Sequence, residues 1–579
     1  MTFRVWAPAA RQVEVALDGG RVAMSAGEGG CQEGWWSAEV PGVGPGCDYA
    51  FAVDGGPPLP DPRSPWQPHG VHGPSRVVDP AAFRWTDAGW QAPPLASGLV
   101  YELHVGTFTG AGTFNGAIER LDHLVRLGVT HVELMPVNQF PGRHGWGYDG
   151  VGLFAPHAAY GGPEGLARLV DACHGRGLAV LLDVVYNHLG PAGNYLERFG
   201  PYFTDRYTTP WGRAVNLDGP ESDGVRRFFC DNALAWLRDY HVDGLRLDAV
   251  HAFLDTSALH FLEQLAGEVR DLGARLGRRL VLLAESDLND PRIVRGPEAG
   301  GYGIDAQWSD DFHHALHAAL TGERGGYYAD FGRLADVAKA LRSAYVYDGG
   351  YSRFRRRRHG RPPAGLPGSR FLGYLQTHDQ VGNRARGERS SHLLSPGLLK
   401  VGAALVLLGP FVPLLFQGEE WGATTPFLYF TDHDDPALAR AVSEGRRNEF
   451  REFGWDPAEV PDPQAPETFA RSRLDWSEAG REPHRTLLEW HAALVCLRRE
   501  TGLAGEGLDR VRVHYDEADR WLVLERDAVT VACNLAGRAQ RVPLGGGLAG
   551  KVALASDRDV KVGAGVVDLP SESVVVLGV

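Results

Sequence analysis

The chain has 579 residues, more than one ordinary domain needs, and its 44% apolar and 22% charged residues are the make-up of a globular protein with a large core. Its 58 basic and 72 acidic residues give a formal charge of −14. That excludes general phosphate-backbone binding, which needs a basic face, so no nucleic-acid partner is expected.

The N-terminus carries no basic segment followed by an apolar run, so no signal peptide is expected. Up to about residue 92 the pattern is β. Phe3–Trp6, Val13–Leu17 and Trp36–Val40 alternate apolar and polar residues between Gly/Pro clusters, as in a small sandwich. Pro57, Pro58, Pro60, Pro62, Pro65 and Pro68 make a loop of the stretch between 57 and 68.

From about 93 to 503 lies an α/β region. Short apolar strands are predicted at Leu99–Val105, Thr130–Val137, Ala179–Tyr186, Gly244–Ala249, Leu280–Glu285, Ala306–Trp308, Phe371–Gln376 and Val412–Phe416. Helical periodicity fills gaps at Phe114–Leu127, Gly162–Arg176, Gly224–Tyr240, Ser257–Leu272 and Pro396–Leu408. Eight βα units predict a (β/α)8 TIM barrel, with a loop subdomain at about 189–222. The competing open sheet would carry a Gly-rich phosphate turn after its first strand, and Val105–Gly110 does not supply one. The longest apolar run, Val401–Phe416, is interrupted by Gly409, Pro410 and Pro413 and falls short of the ~18 residues of a membrane span, so the expected location is cytoplasmic, with no membrane partner.

From 504 to 579 the pattern returns to antiparallel β, with Val511–Tyr515, Trp521–Leu524, Val529–Ala532 and Val574–Leu577 as strands and Gly545–Gly547 as a turn. Six cysteines (31, 47, 173, 230, 496 and 533) without a CxxC are expected to be reduced thiols rather than a disulfide framework.

Chemistry concentrates at the ends of the predicted barrel strands, where a barrel builds its active site. The third ends Asp183-Val-Val-Tyr-Asn187-His188, the fourth Arg246-Leu-Asp248-Ala-Val-His251, the fifth Glu285 and the seventh His378-Asp379. Any one of these carboxylates reads equally well as a cap or loop residue. Four at matching positions do not, because burying unpaired carboxylates is costly. Carboxylate pairs with His and Arg partners, in a chain with 15 Trp, 18 Tyr and 24 Phe, fit glycoside hydrolysis, which needs a nucleophile and a general acid about the bond. Arg246 shares a strand face with Asp248 by the period of two and is expected to keep it ionised. Partial burial is expected to raise Glu285 and make it the acid.

These four segments resemble the conserved regions of the α-amylase family of glycoside hydrolases. The resemblance implies that Asp248 is the nucleophile, Glu285 the acid/base and Asp379 a third carboxylate that grips sugar hydroxyls. It implies that Arg246 holds the nucleophile, that His188 and His378 bind the sugar, that Tyr148 of Gly145-Trp-Gly-Tyr148-Asp149 stacks on it with Asp149 nearby, and that Asp183 and Asn187 support them; His251 is taken as a further sugar contact. Within the family, the N-terminal sandwich and Tyr101–Thr109 resemble the branch of branching enzymes, isoamylases and maltooligosyltrehalose trehalohydrolases. Gly190–Gly212, Asp310–His317 and Leu415–His433 resemble the last group. The implied reaction is retaining cleavage of the α-1,4 bond beside the terminal trehalose of maltooligosyl trehalose, with the two carboxyl groups roughly 5–5.5 Å apart. Glucan oligosaccharides are the implied partners, with a maltooligosyl trehalose synthase upstream by analogy and no cofactor. Trp211, Trp421, Phe427 and Tyr429 are the expected trehalose-side stacking faces. A branching or debranching enzyme of the same fold shares all three carboxylates and is the alternative. A glucan-binding scaffold is disfavoured because all three are present.

No metal is expected. His313 and His317 have ligand spacing but no HExxH, and no Asp-rich loop reads as a calcium site. The basic run Arg353–His359 reads as a solvated insertion, with folding over the cleft as the alternative.

Overall fold

The computed structural model describes residues 1–27, 33–452, 456–503, 507–545 and 550–578. Cys31, the Gly546-Gly547 part of the expected turn, and the start of the expected C-terminal region at 504 lie outside the described residues.

Eight short parallel strands close into a barrel: β1 (Val100–Leu103), β2 (His131–Leu134), β3 (Ala179–Val184), β4 (Gly244–Leu247), β5 (Val281–Ala284), β6 (Ala306–Trp308), β7 (Phe371–Gly373) and β8 (Val412–Phe416). The order around the barrel is the chain order, with β8 pairing β1. Each strand is buried throughout, as a closed sheet covered by helices requires. Val100, Leu181, Leu283, Trp308, Leu372, Tyr374 and Leu414 fill the interior as one cluster. Because faces alternate, Glu102 follows Val100 inward and Asp183 follows Leu181, which places charge one layer above the apolar plug.

Six of the strands are shorter than their apolar runs, while β6 and β8 match theirs. β4 stops at Leu247 and β5 at Ala284, so Asp248 and Glu285 stand just past the strand ends. β7 stops at Gly373, and His378 and Asp379 open a short helix, His378–Gly382, instead of ending a strand. The predicted helix over 114–127 is two helices, Phe114–Ile118 and Leu121–Leu127. The one predicted from Ser257 begins at Phe261, because Asp255 and Ser257 are drawn out to the Arg226 guanidinium, each at 3.1 Å from Nη1.

The N-terminal strands form a three-stranded and a four-stranded sheet. Trp6 of this region packs edge-on to Tyr202, with ring centroids 5.6 Å apart, so the sandwich leans on the loop after β3. After the barrel, a five-stranded and a three-stranded antiparallel sheet enclose Val523, Val542, Val567, Leu569, Val575 and Leu577. Glu517 of this part accepts from the amides of Leu334 and Ala335 at 3.0 and 2.8 Å, capping a barrel helix. No helix among the described residues is long and apolar enough to cross a membrane. Cys47, Cys173, Cys230, Cys496 and Cys533 are unbridged.

Candidate active site

At the C-terminal mouth of the barrel one guanidinium organises three carboxylates. Arg246 on β4 is buried over the Trp308 ring, 4.4 Å from its centroid. Its Nη1 donates to both oxygens of Asp183 (2.9 and 2.8 Å) and to Oδ1 of Asp248 (2.8 Å), and its Nη2 lies 3.0 Å from Oε2 of Glu285. Strand register accounts for the convergence: Asp183 pairs with Arg246 across β3 and β4, and Arg246 with Leu283, two residues before Glu285, across β4 and β5.

Burial raises Glu285 above the usual carboxylate range, Arg246 opposes that, and the neighbouring Asp248 adds to it. Glu285 also accepts the amide of Ala249 at 2.8 Å. Ala249 is left-handed (φ 42°), a strained conformation for a residue with a β-carbon, and that turn aims its amide at Glu285. Asp379 is raised by burial and by Glu285 despite His378, and it accepts from Asn383 at 2.6 Å.

Tyr148 joins the group from the loop after β2. Its hydroxyl donates to Asp183 at 2.6 Å and meets His378 Nε2 at 2.8 Å, and the two rings stack 5.2 Å apart. His188 stacks on Trp211 with centroids 5.1 Å apart and planes within 6°, and Trp211 is 46% exposed. Asn187 is buried with both side-chain polar atoms unpartnered, and buried Nδ1 atoms of His188 and His251 also lack partners. Such orphan groups at a mouth are what an absent polar ligand would satisfy. Asp149 is half-exposed, with His433 at 3.9 Å.

Two expected stacking faces are corrected. Trp421 is fully buried against His123 and Trp476. Phe427 is fully buried, stacked on Trp146 and edge-on to Phe416. The loop after β8 folds both back into the core, so neither ring offers a face to the cleft. Tyr429 is half-buried, edge-on to Trp146 and beneath Arg446.

The basic run forms a hairpin, Tyr351–Ser352 with Arg357–Arg358, and is not wholly a solvated insertion. Arg355 is held by Asp287 at 2.9 Å, two residues past Glu285. His313 and His317 do not converge on a common point: His313 meets the Leu375 carbonyl and the Tyr328 hydroxyl, while His317 pairs with Glu323.

Several mouth and interior residues escape a sequence reading. Glu102 and Glu133, paired in register on β1 and β2, are buried carboxyl groups inside the barrel. Asp310 accepts from Tyr374 at 2.5 Å and is raised well above the carboxylate range by burial, with Glu285 adding to the shift. An acidic residue in a strand such as Val-Tyr-Glu-Leu reads as an outward position, and only barrel closure turns it inward.

The barrel and its strand-end carboxylates have known counterparts. A family model described as alpha amylase, catalytic domain, matches residues 80–207, and one described as a domain of unknown function (DUF3459) matches 506–576. The malto-oligosyltrehalose trehalohydrolase of Arthrobacter ramosus is 54% identical over 549 residues, covering 94% of this chain and 95% of its own. That of Mycobacterium tuberculosis is 51% identical over 554 residues, 94% of each chain. A crystal structure from Salmonella typhimurium, described as a candidate alpha amylase, has a TM-score of 0.91 at 38% identity and covers 100% of this chain and 97% of that one. Similarity of this extent runs through the barrel and both flanking β regions, and the chain belongs to the malto-oligosyltrehalose trehalohydrolases, glycoside hydrolases of the α-amylase family.

Proposed function

We propose that this glycoside hydrolase cleaves, with retention, the α-1,4 bond that joins a glucan chain to the terminal trehalose of a maltooligosyl trehalose. Asp248 attacks the anomeric carbon and forms a covalent glycosyl ester. Glu285 gives its proton to the departing trehalose oxygen, then takes one from the water that hydrolyses the ester. Asp379 grips hydroxyls of the distorted sugar. Tyr148, Asp149, His188, His251 and His378 line that sugar, Arg246 holds the nucleophile, and Asp183 and Asn187 support them. Trp211, and Tyr429 at the edge of the loop after β8, receive the trehalose side.

The observation that carries this reading is the Arg246 fork. Two terminal nitrogens of one guanidinium hold Asp248 and Glu285 side by side, at 2.8 and 3.0 Å. That supports the short carboxyl separation, roughly 5–5.5 Å, of a retaining pair. Burial that raises Glu285 supports its role as the acid. The substrate requires an upstream reaction that converts the reducing end of a glucan into a trehalose unit. The reading carries with it a cytoplasmic location and a division into an N-terminal sandwich (1–92), a catalytic barrel (93–503, with its loop subdomain at 189–222) and a C-terminal β region (504–579).

The test is a product assay on a maltooligosyl trehalose and on the plain maltooligosaccharide of equal length. Free trehalose from the first and little cleavage of the second are expected. Rearranged or branched glucan without trehalose would move the chain to the transferases of the fold.

A further inference from the structure

The interior of the barrel holds a hydrogen-bond chain that the three reacting carboxylates do not account for. Glu102 is buried on β1 and accepts twice from His378, from its backbone amide at 2.9 Å and from its ring Nδ1. On the far side of the ring, Nε2 meets the Tyr148 hydroxyl at 2.8 Å. That hydroxyl has one proton, and it goes to Asp183 at 2.6 Å, where both carboxylate oxygens already accept from Arg246. The Tyr148 oxygen is therefore the acceptor toward His378, and Nε2 carries a hydrogen. With Nδ1 facing a carboxylate that also accepts a backbone amide, both ring nitrogens are donors.

We propose that Glu102 is a positioning residue: it holds His378 as an imidazolium whose Nε2–H fixes Tyr148, and through Tyr148 the Asp183–Arg246 pair beneath the nucleophile. This rests on the reading of His378 and Tyr148 as the floor of the cleaved subsite, and it adds the group that sets their protonation.

The surrounding charges agree. Burial alone pulls His378 down, but the Glu102 charge and hydrogen bond, with Asp379, raise it above the ordinary histidine value against the opposing Arg246. Asp183 lies across Tyr148; burial pushes its carboxyl up to about 7, and the Arg246 nitrogen that donates to both of its oxygens opposes that and favours the carboxylate. His104, pushed down to about 4 by burial, is neutral at physiological pH and does not repel the imidazolium. Glu133, beside Glu102 in register, has no hydrogen-bond partner on either oxygen and is raised well above the carboxylate range by burial and by Glu102. The pair of carboxyls therefore presents one negative charge to the ring, matched to one imidazolium.

The experiment is the pH profile of kcat for trehalose release by the wild type, Glu102→Gln, Glu102→Asp, His378→Gln and the Glu102→Gln/His378→Gln double variant. Loss of the charge facing a histidine lowers its pKa by about 1–3 units. Glu102→Gln should therefore move the alkaline limb of kcat to lower pH by that amount with little change in KM, and Glu102→Asp should keep the limb in place. In the His378→Gln background the Glu102→Gln change should move no limb. An unshifted limb in Glu102→Gln, or the same shift without His378, overturns the proposal. If Glu102→Gln does not fold, the ring 15N shifts of His378 in the wild type decide: two protonated nitrogens at neutral pH are expected, and a single protonated nitrogen overturns the proposal. A wild type that releases no trehalose would sink the functional reading alone. Ring 15N shifts of His378 then test the proposal without turnover, two protonated nitrogens at neutral pH in the wild type and one in Glu102→Gln being expected, and no difference between the two refuting it.

Discussion

At Glu285 two influences oppose each other: burial disfavours the charged carboxylate, and Arg246 at 3.0 Å favours it. Burial prevails, so the group keeps its proton above the ordinary carboxylate pKa and loses it as pH rises through the raised value. The acid-catalysed step should therefore fail on the alkaline side. Glu285→Gln should lower kcat by about 10²–10⁴-fold on the natural substrate. An aryl glycoside with a good leaving group, which needs no proton, should lose far less in its first step and keep only the alkaline limb that His378 sets. An equal loss on both substrates would assign the acid elsewhere. The same residue marks how far single positions are legible. Asp248, Glu285, Arg246 and His378 announce themselves because charge past an apolar strand has few uses. Glu102 and Glu133 do not, since alternation in an open antiparallel strand would send them to water. Trp421 and Phe427 mislead in the other sense: an aromatic on a functional loop gives no sign in the sequence of whether the loop folds back over it.

Elements were legible as types more than as ends. All eight strands lie where their apolar runs are, and β6 and β8 match them end to end, but the other six runs extend past the ladders, because residues at the mouth remain buried after pairing stops. The seventh shows this best. Phe371–Gln376 reads as one strand, yet the ladder ends at Gly373 and Thr377 starts a helix. Its hydroxyl accepts the Asp379 amide at 3.2 Å and donates to Gln380 Oε1 at 2.7 Å, while Gln380 accepts the Thr377 amide at 2.9 Å. This capping box fixes the first turn, and His378 and Asp379 are that turn. Thr377→Ala should cost roughly 0.5–2 kcal/mol of stability. It should also lower kcat by about ten- to a hundredfold, since a small misplacement of a reacting group is costly. Thr377→Ser keeps the cap and should restore both. A lower Tm with unchanged kcat would mean that Asn383, not the cap, positions Asp379.

At the scale of the molecule, the N-terminal sandwich is tied to the catalytic loops by a buried indole, beside polar contacts such as His72 with the Tyr195 hydroxyl at 2.7 Å. Trp6 is buried against Tyr202 and over Gly200 and Gly224, and a β-carbon at Gly224 would overlap its ring. Gly224 sits in the helix Ser222–Asp239, where glycine ordinarily costs about 0.5–1 kcal/mol relative to alanine. The close approach of Trp6 is a sufficient reason for glycine there, and it predicts a change of sign. In the wild type Gly224→Ala should destabilise, because the helix backbone and a packed indole have nowhere to go. In a Trp6→Ala background, itself less stable by about 3–5 kcal/mol, the same Gly224→Ala change should stabilise by about 0.5–1 kcal/mol. Denaturant melts of the four proteins measure the cycle. A Gly224→Ala effect of the same sign in both backgrounds would mean that the sandwich is appended to the barrel rather than packed into it. Sign reversal within a single cooperative transition would mean that the two parts unfold as one, and that the loop after β3, which carries His188 and Trp211 on one side of the cleft, takes its shape from the N-terminal sheets.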